Sequence, residues 1–63
     1  MMYFLNKHVQ GGWEHEYEHF GSDADAMTWA RNQLDDTCNM VALYRHEDED
    51  TCGIKHFVVS YDR

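Results

Sequence analysis

Proline is absent from the 63 residues, cysteine occurs twice, and lysine and arginine together only five times. Each shortage excludes something. Without proline, low-complexity tracts or repeats, nothing signals a linker, so one small domain over residues 1–63 is expected. Cys38 and Cys52 fit no Cys-x-x-Cys spacing, which removes the common zinc and redox motifs. A single bridge between them would be a poor framework for a secreted mini-protein, so free thiols in a reducing cytoplasm are expected. No apolar run approaches the roughly 20 residues that span a bilayer, and the N-terminal MMYFLNK lacks the features of a leader peptide. The five cations stand against twelve carboxylates, a formal charge of −7. Phosphates attract Lys and Arg, so that balance argues against direct binding to nucleic acid or to an anionic membrane.

What is present is apolar enough to fold. Hydrophobic residues make up 43% of the chain and aromatics 14%, which argues against disorder. The core is nevertheless thin at this length, and stability has to come from packing the aromatics. A substrate cleft with its scaffold rarely fits in so short a chain, so an enzyme is not expected.

The pattern along the chain predicts an α+β domain of order β-β-α-β-β, with one helix on one face of a four-stranded, mostly antiparallel sheet. Residues 2–9 (MYFLNKHV) read as a strand, Gly11-Gly12 as a hairpin turn, and residues 13–20 (WEHEYEHF) as a second strand. In the second strand Trp13, His15, Tyr17 and His19 alternate with Glu14, Glu16 and Glu18. Ser22 is a good helix N-cap, with Asp23 and Asp25 in the first turn where the dipole favours anions. Ala26, Met27, Ala30 and Leu34 form an apolar stripe flanked by Trp29. Asp35-Asp36-Thr37 is an unfavourable place for a helix C-terminus, so the helix should stop near it. Residues 39–46 and 53–61 read as the last two strands. Two strand orders are compatible with this list: a β-grasp sheet with the first and last strands parallel, or a wholly antiparallel one.

The hairpin register follows from keeping apolar residues on one face. A three-residue loop Gln10-Gly11-Gly12 sets Val9 opposite Trp13 and Leu5 opposite Tyr17, whereas a two-residue turn sets them opposite glutamates. The odd loop is therefore expected. It would place Phe4, Asn6 and His8 beside Glu14, Glu16 and Glu18 on the sheet face away from the helix.

His15-Glu16-Tyr17-Glu18-His19 spells the zinc-protease motif, but that chemistry needs a helix to bring both histidines to one metal. On a strand they stand about 13 Å apart. Two amphipathic histidines beside aromatic residues is the better reading, and no metal is assigned. The tract 47–50 lacks the alternating ligands and central glycine of an EF-hand. Cys38 has no basic neighbour to activate it, and no phosphate loop or serine-nucleophile motif is present. No catalytic residue and no cofactor is expected. Five histidines could lift the charge from −7 to about −2 on full protonation, but His as a half-polar aromatic filler of strands is the better reading.

The carboxylates carry the remaining signal. Glu14, Glu16 and Glu18 stand about 6.6–6.8 Å apart on one strand face, close to two phosphate rises of a nucleic-acid strand. Glu47, Asp48, Glu49 and Asp50 add a loop of four, and Asp35 and Asp36 two more. A basic groove built for DNA would attract such a surface. A solvated face that protects a sheet edge is the plainer account. In size, charge and element order the whole chain resembles the small acidic inhibitor proteins of phages and mobile elements, including anti-CRISPR proteins and DNA mimics. The resemblance rests on no motif, so it assigns no residue a role. It implies a protein of the bacterial host cytoplasm that blocks a basic, nucleic-acid-binding protein or complex. The expected contact residues are Glu14, Glu16, Glu18, Glu47, Asp48, Glu49 and Asp50, with Phe4 and His8. The competing expectation is a structural or regulatory interaction module that uses an aromatic sheet face, with a homodimer as one form of it.

Overall fold

A computed structural model describes residues 1–47 and 53–63. Its elements are β1 (Met2–Val9), β2 (Gly12–His19), α1 (Asp23–Arg31), β3 (Cys38–His46) and β4 (Lys55–Asp62). The four strands form one sheet in the order β2-β1-β3-β4, every neighbouring pair antiparallel. The fold is thus α+β, in the expected order, and the wholly antiparallel alternative is the one adopted. β2 and β3 run the same way with β1 between them, so the helix is the crossover of a split β-α-β unit. Among the described residues no helix is long and apolar enough to cross a membrane.

The helix starts where the sequence places it. The Ser22 hydroxyl accepts from the Asp25 backbone N–H at 3.2 Å, and Asp23 and Asp25 occupy the first turn. It ends at Arg31 with Asn32 as C-cap, before the acidic pair. Asp35 then shapes the turn into β3. Its carboxylate accepts from the backbone N–H groups of Thr37 and Cys38 and from the Thr37 hydroxyl, at 2.8–2.9 Å. The Thr37 bonds foremost hold its carboxyl below the ordinary range.

Ala26 and Ala30, one turn apart and fully buried, let the helix backbone approach the sheet closely. They meet Tyr3 and Leu5 of β1 and Cys38, Val41 and Leu43 of β3 in the main core. Met27, Trp29, Leu34, Val59 and Tyr61 close its sides. Cys38 keeps a free thiol inside this core, while Cys52 lies outside the described residues.

One polar junction joins three elements at the edge of that core. The Tyr3 hydroxyl donates to Asp23 Oδ1 at 2.5 Å, and Arg45 Nη1 donates to Asp23 Oδ2 at 2.7 Å. β1, the first turn of α1 and β3 are thereby tied together. Burial, reinforced by the neighbouring carboxylate, pushes the Tyr3 phenol up to about 12. The Tyr3 hydrogen bond, then Arg45, holds the Asp23 carboxyl down.

The hairpin register differs from the expected one. Val9 pairs with Gly12, Leu5 with Glu16 and Tyr3 with Glu18, around the two-residue turn Gln10-Gly11. Gly11 at φ +96° and Gly12 at φ +146° take conformations that side chains disfavour, which is why both positions suit glycine. This parity puts Glu14, Glu16 and Glu18 on the helix side of the sheet. Trp13, His15, Tyr17 and His19 share the outer side with Met2, Phe4, Asn6 and His8. The physical reason lies in strand position. β1 is central and buried on both faces, with Met2, Tyr3, Phe4 and Leu5 all 9% exposed or less, so its sequence does not distinguish the faces. β2 is an edge strand, and the helix lies chiefly against β3 and β4. Carboxylates on the helix side of β2 therefore stay in water.

The Tyr3–Asp23 bond makes a pH-dependent contribution whose sign is fixed. The phenol holds its proton more tightly folded than unfolded, so the stabilisation is complete below the unfolded value near 10 and is lost as pH climbs towards 12. Asp23 acts oppositely: its contribution is present above the unfolded carboxylate value and disappears as pH falls through its lowered folded value. In urea titrations Tyr3→Phe is expected to lose about 1–2 kcal/mol at pH 7 and to decline less than the parent between pH 10 and 12. Parallel declines would show that Tyr3 does not titrate in linkage with folding.

Candidate interaction surface

β2 presents two rows of side chains, one to each side of the sheet. On the helix side Glu16 is engaged: Lys7 Nζ lies 2.8 Å from its Oε2 and also donates to Gln33 Oε1 at 3.3 Å. The hydrogen bond to Glu16 raises the Lys7 ammonium's pKa against the opposing effect of burial. Glu14 and Glu18 flank this pair and make no ion pair among the described residues.

The rest of the charge is distributed unevenly. Arg45 is bound to Asp23, and Arg63 Nη2 lies 2.7 Å from Asp36 Oδ1. Arg31 lies 6.0 Å from the Tyr61 ring centroid, and Lys55 lies 5.2 Å from that of Phe4. All five cations are thus occupied inside the molecule, and the unneutralised carboxylates define its exterior field. Glu47 Oε2 sits 3.0 Å from His56 Nε2. Asp48, Glu49 and Asp50, expected to complete an acidic loop, lie outside the described residues.

The outer side is aromatic. Phe4 is its floor, only 9% exposed. Ring centroids of His15 and Tyr17 lie 5.1 Å from it, Tyr44 5.8 Å and His46 6.5 Å. Phe57 meets Tyr44 edge-on at 5.7 Å, and His8 meets Trp13 at 4.7 Å. Above this floor Phe57 is 61% exposed, Trp13 50% and Tyr17 43%. Such a cluster, with three large rings exposed, has the character of a contact surface. Phe4 and His8 belong to it, which corrects the expectation that they stand beside the glutamates. The two groups occupy opposite faces of one hairpin.

Trp13, Tyr17, Tyr44 and Phe57 were not among the expected contact residues. The alternation of β2 contains the first two, but only the register assigns them to the open face. Tyr44 and Phe57 come together across β3 and β4, a pairing with no local signal.

His15 and His19 are on a strand, so they cannot share a metal as the zinc-protease motif requires. Among the described residues no three His, Cys, Asp or Glu side chains converge as metal ligands. An open cavity of about 370 Å³ lies at the hairpin tip, between His8, Gly11, Asp36, Thr37 and Asn39. Its imidazole is taken up by Asn39 Oδ1, 2.8 Å from His8 Nδ1, and its Thr37 hydroxyl donates to Asp35. No protein-family model, curated protein or solved structure matches the chain.

Because β2 is at an edge, its carboxylates can be altered without dismantling the core. Glu14→Gln and Glu18→Gln are each expected to change stability by no more than about 0.5 kcal/mol, and Glu16→Gln to cost up to about 1 kcal/mol through the lost Lys7 pair. Thermal or urea unfolding of the three variants measures this. A loss above about 2 kcal/mol at Glu14 or Glu18 would assign those side chains a structural role.

Proposed function

We propose that this chain is a non-catalytic inhibitor of the phage type, acting on a basic, nucleic-acid-binding protein of a bacterial host. It would occupy that partner's nucleic-acid site through β2. The observation that carries the reading is the pairing of two exposed rows on one edge strand. Glu14 and Glu18 line one side, Trp13 and Tyr17 the other, and all five of the chain's own cations are already engaged. A guanidinium group is complementary to both rows, since it pairs with carboxylates and stacks on aromatic faces. A groove rich in Arg and Lys is what a nucleic-acid-binding partner offers, and the net charge of −7 would steer the encounter.

A second reading is supported by the outer face itself. Phe57, Trp13 and Tyr17 are exposed there, while Glu14, Glu16 and Glu18 point to the other side. A module that docks by this aromatic face, onto another protein or a second copy, would depend on Tyr17 and Phe57.

Capture from a bacterial lysate separates the two. The immobilised protein is expected to retain a nucleic-acid-binding protein at about 0.1 M salt and to release it at about 0.5 M, where the screening length shrinks to a few ångströms. Added duplex DNA or RNA should compete, and the triple variant Glu14→Gln, Glu16→Gln, Glu18→Gln should capture little. Retention that ignores salt and the triple variant, but is lost in Tyr17→Ser with Phe57→Ser, would replace the inhibitor reading with the second.

A further inference from the structure

Resting on the basic partner proposed above, we infer that β2 takes that partner by strand addition. An extended segment in which Lys or Arg alternates with apolar residues pairs with the free edge of β2 and becomes the fifth strand of the sheet.

The edge is open and regular. Among the described residues β2 pairs only with β1, over eight residues and without a register shift. In an antiparallel ladder alternate residues aim their backbone N–H and C=O away from the neighbour, so Trp13, His15 and Tyr17 direct such groups to a side on which no described strand lies, while the His19 backbone N–H is met by Glu18 Oε1 at 3.2 Å. The opposite edge is built differently. β4 has a register shift at Val58 and begins with Lys55, two devices that discourage strand pairing. β2 has no bulge, no proline and no lysine or arginine.

Its side chains select the occupant. A second copy pairing antiparallel along β2 would bring Glu14, Glu16 and Glu18 against the same three carboxylates, and like charges directly opposite are destabilising. An incoming strand with basic residues on that side reverses the sign of the interaction. Its alternate residues fall beside Trp13, His15 and Tyr17, where apolar side chains make favourable cross-strand pairs. Lys7 already serves Glu16. The incoming charges are therefore needed at Glu14 and Glu18, about 13 Å apart, the spacing of strand residues i and i+4.

Two blocked nine-residue peptides test this. In the first, Val alternates with Thr or Lys, and the two Lys stand four apart. The second has the same composition with the Lys three apart, so that they fall on opposite faces. Calorimetry at low salt should show the first binding about fivefold tighter, from two favourable cross-strand pairs. Hydrogen exchange should slow at alternate amides of β2, with those of β4 unchanged. The double variant Glu14→Gln, Glu18→Gln should remove the preference between the peptides. Equal binding of both peptides by the parent, without protection of β2, overturns strand addition but leaves a basic partner standing. Binding of neither, or protection at β4, also overturns it, and the lysate capture then decides the broader reading alone. Protection of β2 on concentrating the protein by itself would mean self-pairing and would equally overturn the proposal.

Discussion

A nine-residue helix has to serve four strands, and it is too small to cover them. At 1.5 Å per residue it is about 13 Å long and about 10 Å across, while the strand axes of the sheet spread over about 14 Å before side chains are counted. The helix settles where burial is greatest, on the inner strands and β4, with Ala26 and Ala30 against Leu5, Val41 and Leu43. The Tyr3–Asp23–Arg45 junction anchors its first turn there. Two surfaces are left over as a consequence. One is the helix side of β2, where the glutamates stand, and the other is the part of the outer face where Trp13, Tyr17 and Phe57 are exposed.

The chain handles each remainder with different chemistry. On the helix side of β2 a carboxylate row accepts solvent without cost to the core, with Lys7 bridging from β1 to Glu16. On the outer face Phe4 would be an exposed apolar residue on a central strand. A ring of aromatic and histidine side chains gathers over it instead, a second and smaller apolar cluster over which no described helix or strand packs. The sheet is thus buried on the helix side except at β2, and only partly on the other. That leaves Trp13, Tyr17 and Phe57 available to a partner.

How much of this was legible depends on the range of the interactions. Ser22 with Asp23 and Asp25, the paired glycines of the hairpin and the alternation of β2 are local signals, and they located the helix, the turn and the strands to within about two residues at most ends. The helix C-terminus fell earlier, at Arg31, because Asp35 serves the following turn rather than the helix. The hairpin register departs from the expected one for a definable reason. The rule that apolar residues share a face presumes a single covered face, and β1 is covered on both. With Leu5 set opposite Glu16, the carboxylates and the aromatics exchanged sides, and Phe4 and His8 parted from the glutamates they were expected to join.

The sequence alone therefore determined the element order, the acidic charge and the alternation that separates carboxylates from aromatics along β2. These depend on neighbours a few residues apart and on composition. Tertiary structure decided which of the two rows faces outward, that β2 and not β1 forms an edge, and that Tyr44 and Phe57 join the aromatic face from strands distant in the chain. Those outcomes rest on how far a short helix can reach and on which strand ends up in the centre. Neither quantity is a property of any local stretch of residues.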